Sequence, residues 1–162
     1  MRFMTAYLSV TEGEHVLTGT ERMKQRPIKI LVDALRSLGA DIQYVGEEGF
    51  PPLRIKGKRL TGGSIEVAGN VSSQYVSALL MIGPTLEKGL ELKLLGNVIS
   101  RPYIDLTLNV MHEYGADAEW TDIDTITIRP KRYEERSYTI ENDWTSASYW
   151  YAILTLLNDR KS

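Results

Sequence analysis

The chain contains no cysteine, so disulfides, thiol nucleophiles and cysteine-ligated metals are excluded. Its two histidines, His15 and His112, have no metal-ligating neighbour at useful spacing. Both read as surface residues, and no metal is expected. No apolar run reaches the roughly 18 residues of a membrane-spanning helix. No signal peptide is apparent either, so the expectation is a soluble, cytoplasmic protein. A net charge of −2 gives no reason to expect a nucleic-acid or anionic-membrane partner. The remaining composition is ordinary, and 162 residues suffice for one substantial core or two small ones.

The most informative stretch is Gly69-Asn70-Val71-Ser72-Ser73-Gln74-Tyr75. The alternating run Ser64-Ile65-Glu66-Val67-Ala68 before it reads as a half-buried strand, and the apolar block Tyr75 to Ile82 after it reads as a helix. A helix start leaves backbone N–H groups unpaired and carries partial positive charge. Two hydroxyls and a carboxamide added there make a receptor for phosphate or carboxylate that needs no metal. A lone Ser72 would be accounted for by N-capping. The second cluster, Ile99-Ser100-Arg101-Pro102-Tyr103, also precedes a helix and favours an anion site over two separate caps.

Aromatic-x-x-Ala-x-Leu occurs at Phe3…Ala6…Leu8, Tyr75…Ala78…Leu80 and Tyr149…Ala152…Leu154. Leu38-Gly39-Ala40-Asp41 is echoed by Tyr114-Gly115-Ala116-Asp117. Each Gly-Ala-Asp closes an amphipathic helix, where Gly supplies the left-handed cap. Two interleaved motifs recurring in the same order at roughly 75 residues indicate a structural duplication. One unit runs from a strand at 63–69 through a helix at 71–83 and a strand at 90–95. A helix at 101–114 and a hairpin, 116–120 and 125–129 joined through Asp122-Ile123-Asp124, complete it. The earlier unit reads as helix 2–10, strand 14–19, helix 26–38, and strands 40–45 and 52–56. The formula is βαβαββ, an α/β (α+β) fold with helices packed against mixed sheets. Helices starting in register at one end would aim several N-termini at one place.

The ends suggest a piece of something larger. Met1-Arg2-Phe3 opens inside a helix without a cap, and the apolar helix around Tyr149 to Leu157 wants a partner on every side. The 144–157 helix is therefore expected to find a partner, either this domain's own open face or, through self-association, a second chain.

The run Glu21-Arg22-Met23-Lys24-Gln25-Arg26-Pro27 reads as a solvated charged face, except that Arg26 stands beside a helix start opened by Pro27. Its guanidinium could hold phosphate or carboxylate bidentately. Arg101 takes the neighbouring position in the next unit. Tyr75 and Tyr103 suit either a core or a ligand contact. Asp33 and Asp105 read as exposed faces or helix-end polar contacts, and Asp143 as the N-cap of a third Ser-rich helix start or a hinge. Anion-binding parts are present and no complete acid–base pair is, so no catalytic residue is assigned within the chain.

Six segments carry a resemblance: Met1-Arg2, Arg22-Met23-Lys24-Gln25-Arg26-Pro27, Phe50-Pro51-Pro52-Leu53, Val71-Ser72-Ser73-Gln74-Tyr75, Ser100-Arg101-Pro102-Tyr103-Ile104-Asp105 and Ser146-Ala147-Ser148-Tyr149. Together they resemble the 5-enolpyruvylshikimate-3-phosphate synthase family, the 3-phosphoshikimate 1-carboxyvinyltransferases of aromatic amino acid biosynthesis. The resemblance implies a longer two-domain enzyme of the inside-out barrel type built from repeated βαβαββ units. Residues 1–142 would form most of the shikimate-3-phosphate-binding domain, the first of its two units being incomplete, and 143–162 would begin the crossing into the other domain. The reaction adds the 5-hydroxyl of shikimate 3-phosphate to phosphoenolpyruvate and expels phosphate, with no cofactor. Ser72, Ser73, Gln74, Ser100 and Tyr103 would hold shikimate 3-phosphate. Arg26 and Gln74 would meet phosphoenolpyruvate, while Arg2, Arg101 and Asp143 are secondary candidates. The family's proton-transferring carboxylates have no counterpart here, so the chain alone is expected to be inactive.

Two alternatives remain at this point. One is a relative of UDP-N-acetylglucosamine enolpyruvyl transferase, whose usual cysteine is absent and against which Ser72-Ser73-Gln74 discriminates. The other is a non-catalytic anion-binding module.

Overall fold

The computed structural model describes residues 1–140 and 144–159. Helix α1 (Arg2–Val10) leads to strand β1 (Gly13–Leu17), the single-turn helix α2 (Glu21–Lys24) and α3 (Lys29–Ser37). Strands β2 (Asp41–Tyr44) and β3 (Leu53–Gly57) close this part. The second part runs β4 (Gly63–Ala68), α4 (Ser73–Ile82), β5 (Leu90–Leu95), α5 (Arg101–Glu113), β6 (Asp117–Trp120) and β7 (Thr125–Arg129). Helix α6 (Trp144–Asp159) follows.

The repeat is structural. The first sheet has the order β1-β3-β2 and the second β4-β5-β7-β6. In the first, β3 lies between β1 and β2, and in the second β7 lies between β5 and β6; each pairs antiparallel with both of its neighbours. Among the described residues only β4 and β5 pair in parallel, joined by the crossover through α4. Helices α3 and α5 both end as the Gly-Ala-Asp echo requires. Gly39 N donates to Arg36 O and Ala40 N to Leu35 O, while Gly115 N donates to His112 O and Ala116 N to Met111 O. These are paired Schellman bonds, and Gly39 and Gly115 have φ of +99° and +82°, open to glycine without strain.

Strand alternation orients each sheet. Leu90, Leu92 and Leu94 of β5, Ile65 and Val67 of β4, and Ile126 and Ile128 of β7 are buried on one face. The other face is charged, with Arg129 paired to Asp117 and Glu119, each at 2.9 Å. The helices form a second layer against the buried faces: α1 lies on β3, α5 on β6, and α3 spans β2 and β4. Helix α4 sits in the middle of that layer, between α1 and α5, and buries Tyr75 to Leu80 without interruption.

Close packing of α1 on α4 rests on small residues, with Thr5, Ala6 and Ser9 buried in α1 and Ser77 and Ala78 in α4. Buried hydroxyls need partners. Ser9 Oγ donates to Thr5 O at 2.7 Å, Thr5 Oγ1 to Met1 O at 3.1 Å, and Ser77 Oγ shares a 2.7 Å bond with Thr107 Oγ1 of α5. By contrast, Tyr149, Trp150, Tyr151, Ile153, Leu154, Leu156 and Leu157 of α6 are all exposed. The partner expected for this helix is not among the described residues of the chain.

Two expectations of local structure are corrected. The charged run holds the one-turn helix α2, which sequence periodicity does not reveal because four residues cannot show a helical period. Helix α3 starts at Lys29, so Pro27 lies before it rather than in its first turn. Arg26 precedes a proline, which disfavours helical backbone, and the Ile28 N–H is drawn away to Gly49 O at 2.8 Å.

Lys29 then secures the 46–50 loop against α3, reaching Glu48 at 2.9 Å and Asp33 at 3.2 Å. The hydrogen bond from Lys29 holds the Glu48 carboxyl below the usual glutamate range, and the same bond raises Lys29. A depressed carboxyl contributes stability above its unfolded pKa and loses it as pH falls through the folded value. Glu48 should therefore titrate by carbon-detected NMR at lower pH than an ordinary glutamate, about 4.3. Lys29→Met should return it to that range, and an unchanged midpoint would remove Lys29 as the cause. A second expectation concerns Gly57, where a Cβ would overlap the Thr11 and Leu8 carbonyls of the chain leaving α1. Gly57→Ala should lower stability in urea unfolding by about 3 kcal/mol, the upper part of the overpacking range. A loss below ~0.5 kcal/mol would show that α1 is not seated so tightly.

Candidate anion-binding site

Parallel pairing brings the two helix starts together. Ala68 and Leu95, the last residues of β4 and β5, lie in register, so α4 and α5 both begin beyond the same edge of the sheet. The loops leaving that edge touch through backbone: Gly69 N donates to Leu95 O at 2.7 Å and Ile99 N to Gly69 O at 3.4 Å. Gly69 permits this approach, since a Cβ there would stand 3.1 Å from Asn97 O and 3.2 Å from Leu95 O.

Ser72 and Ser100 occupy the N-cap positions of α4 and α5, yet neither side chain bonds to its own helix start. The capping account of these serines is therefore not the one the geometry supports. Their hydroxyls stay available alongside the N–H groups of both first turns. Ser73 opens α4 and is half-buried, and Ser100 is half-buried at the adjoining start. Tyr103, one turn into α5, is 66% exposed and stands clear of the core.

Arg2, on the first turn of α1, is held against the start of α4. Its Nη1 donates to Gln74 Oε1 at 2.6 Å and lies 3.4 Å from Ser72 Oγ. The guanidinium stacks 4.5 Å from the centre of the Tyr75 ring. Tyr75 is buried, and its hydroxyl donates to Pro27 O at 2.7 Å. The loop carrying Arg26 is thereby fixed to α4, and Met1, Arg2, Met23, Arg26, Pro27, Ile28 and Gln74 enclose a small pocket of about 80 Å³. Two guanidinium groups border this pocket and no carboxylate lines it. Among the described residues, Arg26 enters no ion pair or side-chain hydrogen bond. Like charges gathered without a counterion repel, and an anion bound between them relieves that repulsion.

Arg101 is differently employed. Its Nη1 donates to Ile123 O at 3.0 Å, and its guanidinium lies 4.0 Å from the Trp120 ring, whose Nε1 donates to Asp105 Oδ1 at 2.8 Å. It props the β6–β7 turn against α5. Asp143 lies outside the described residues. By sequence alone Tyr75 suits either core or site, because its bond to Pro27 joins residues 48 positions apart. Met23 and Ile28 also line the pocket. A proline carbonyl and an aliphatic pocket wall carry no chemical signal in a single sequence.

The site can be set beside known proteins. A family model described as EPSP synthase (3-phosphoshikimate 1-carboxyvinyltransferase) matches residues 1–160. The 3-phosphoshikimate 1-carboxyvinyltransferase of Bacteroides fragilis (strain YCH46) is 61% identical over 156 residues, covering 96% of this chain and 38% of that protein. The protein of the same name from Histophilus somni (strain 2336) is 45% identical over 144 residues, covering 88% of this chain and 33% of its own length. This chain thus spans about a third of the length of the curated relatives it matches. Among solved structures, the EPSP synthase of Acinetobacter baumannii superposes with a TM-score of 0.70 at 25% identity, over 82% of this chain and 28% of that one. The enolpyruvyl transferase NikO from Streptomyces tendae shares the fold, with a TM-score of 0.56 at 20% identity over 75% of this chain and 28% of its own. A match along nearly the whole chain identifies the lineage: the chain belongs to the EPSP synthase family.

Proposed function

We propose that this chain supplies much of the substrate-binding wall of an enzyme that transfers the enolpyruvyl group of phosphoenolpyruvate to the 5-hydroxyl of shikimate 3-phosphate. The observation that carries the reading is the carboxylate-free pocket at the start of α4, bordered by Arg2 and Arg26 and floored by Gln74. In this reading Ser72, Ser73 and Ser100 take the phosphate of shikimate 3-phosphate at the joined helix starts. Gln74 and Tyr103 contact its ring. Arg26 faces phosphoenolpyruvate, with Gln74 between the two ligands. Arg2, already bonded to Gln74, orients that carboxamide, while Arg101 acts through the β6–β7 turn. Residues 1–142 form most of one domain and 143–162 begin the crossing to another, with Asp143 at the junction. The chemistry suits the cytoplasm.

The physical task is to bring two polyanions together. Cations and helix N-termini offset the repulsion between them. Alignment of the two reactants can supply about 7–11 kcal/mol of the barrier reduction. The 5-hydroxyl gives up its proton as its oxygen bonds to C2 of phosphoenolpyruvate, and C3 gains a proton. The tetrahedral adduct then loses a proton from C3 as the C2–O bond to phosphate breaks, which re-forms the C2=C3 double bond as an enol ether and releases inorganic phosphate carrying the hydroxyl's proton equivalent. Nothing in the pocket described here transfers those protons, so we assign the chain to binding.

Titration with shikimate 3-phosphate, followed by amide NMR, should shift Ser72, Ser73 and Ser100 first. Ser72→Ala should weaken binding about tenfold, as expected for losing a hydrogen bond to a charged group. Shifts confined to other surfaces would refute the assignment. The purified chain given both substrates should release no measurable phosphate, and turnover would show that the proton-transfer groups lie within it. Helix α6 is read as a self-association surface, since so large an apolar face seldom stays bare. Light scattering should show mass rising with concentration, and a monomer throughout would contradict this.

A further inference from the structure

We propose that Tyr75 is a positioning residue that fixes Arg26 and Arg2 at set stations around the start of α4. The inference rests on the reading of Arg26 and the α4 serines given above, and adds the means by which their spacing is held. A buried phenol serves two separable purposes here. Its ring fills the core and presents a face to the Arg2 guanidinium at 4.5 Å. Its hydroxyl is the polar handle that a core position alone does not need, and it donates to Pro27 O at 2.7 Å.

That bond matters because of what it grips. Pro27 immediately follows Arg26 and immediately precedes Ile28, whose N–H is held on the other side by Gly49 O at 2.8 Å. The Pro27–Ile28 peptide group, next to Arg26, is therefore pinned on both sides, its C=O to α4 by Tyr75 and its N–H to the 46–50 loop by Gly49. Phenylalanine would fill the same core volume and keep the stack with Arg2, but would release the inner pin. Arg26 would then be carried on a loop anchored from one side only, while Ser72, Ser73 and Ser100 kept their places on α4 and α5. Loss of the hydroxyl should thus separate the two ligands: the one facing Arg26 weakens and the one seated on the serines does not.

The test compares the full chain with Tyr75→Phe and Tyr75→Leu. Phosphoenolpyruvate and shikimate 3-phosphate are titrated separately by amide NMR, and hydrogen exchange is measured at Arg26 and Ile28. Tyr75→Phe should weaken phosphoenolpyruvate binding about fivefold, the effect of one neutral hydrogen bond. It should leave shikimate 3-phosphate within about twofold and speed exchange at both amides. Tyr75→Leu, which also removes the platform under Arg2, should weaken phosphoenolpyruvate further. If the leucine variant does not fold, the phenylalanine variant decides the question. Equal weakening of both ligands would mean that the hydroxyl serves stability alone, and unchanged binding with unchanged exchange would mean that it does nothing; either overturns the inference. Wild-type chain that binds neither ligand would remove the functional reading and this inference with it. Wild-type chain that binds both, with no response in Tyr75→Phe, would remove the inference alone.

Discussion

A parallel pair of strands cannot be joined by a tight turn, and the arrangement of this site follows from that constraint. Pairing β4 with β5 obliges the chain to cross over through α4 and to leave both strands at one edge. Two helices then begin side by side, with their unpaired N–H groups directed to the same region. The close approach of Gly69 to the 95–99 backbone draws the two starts together. Neither Ser72 nor Ser100 is consumed in capping, so an anion placed there would meet two positive helix ends and those hydroxyls.

Burial of α4 makes this precise. A helix enclosed by α1, α3 and α5 cannot slide or rotate without disrupting Val76, Ala78, Leu79 and Leu80, all of them almost wholly buried. Its first turn is therefore a rigid platform. The Arg2 side chain and the Arg26 loop are referred to that platform through Gln74, Ser72 and Tyr75. Placing two guanidinium groups by a shared pocket with no lining carboxylate stores repulsion that a phosphate or carboxylate would relieve. Arg101 illustrates the opposite choice. Its charge is spent on Trp120 and a turn carbonyl, stabilising the β6–β7 hairpin that backs α5.

Much of this was legible in the sequence because it is local. Alternation in Leu90 to Leu95 marks β5 and its buried face, and Gly39 and Gly115 mark two helix ends by the backbone they require. The repeat of Ala6 and Ala78 identified α1 and α4 as equivalent helices, and both alanines lie in the core. The meeting of the loops that leave β4 and β5 was expected from helices starting in register. What escaped was tertiary. The start of α3 depends on a bond from Ile28 to Gly49, the role of Tyr75 on a carbonyl 48 residues away, and that of Arg101 on an indole from β6. Helix α2 was hidden for a different reason, being too short to impose a period.

The central claim is that the joined starts of α4 and α5 form the phosphate cradle. A crystal of this chain soaked in shikimate 3-phosphate tests it most directly. The account requires the phosphorus to lie within hydrogen-bonding reach of Ser72, Ser73 and Ser100, with the ring turned toward Gln74. Phosphate density on another cationic surface instead, such as the one lined by Arg59, Lys131 and Arg132, would contradict it.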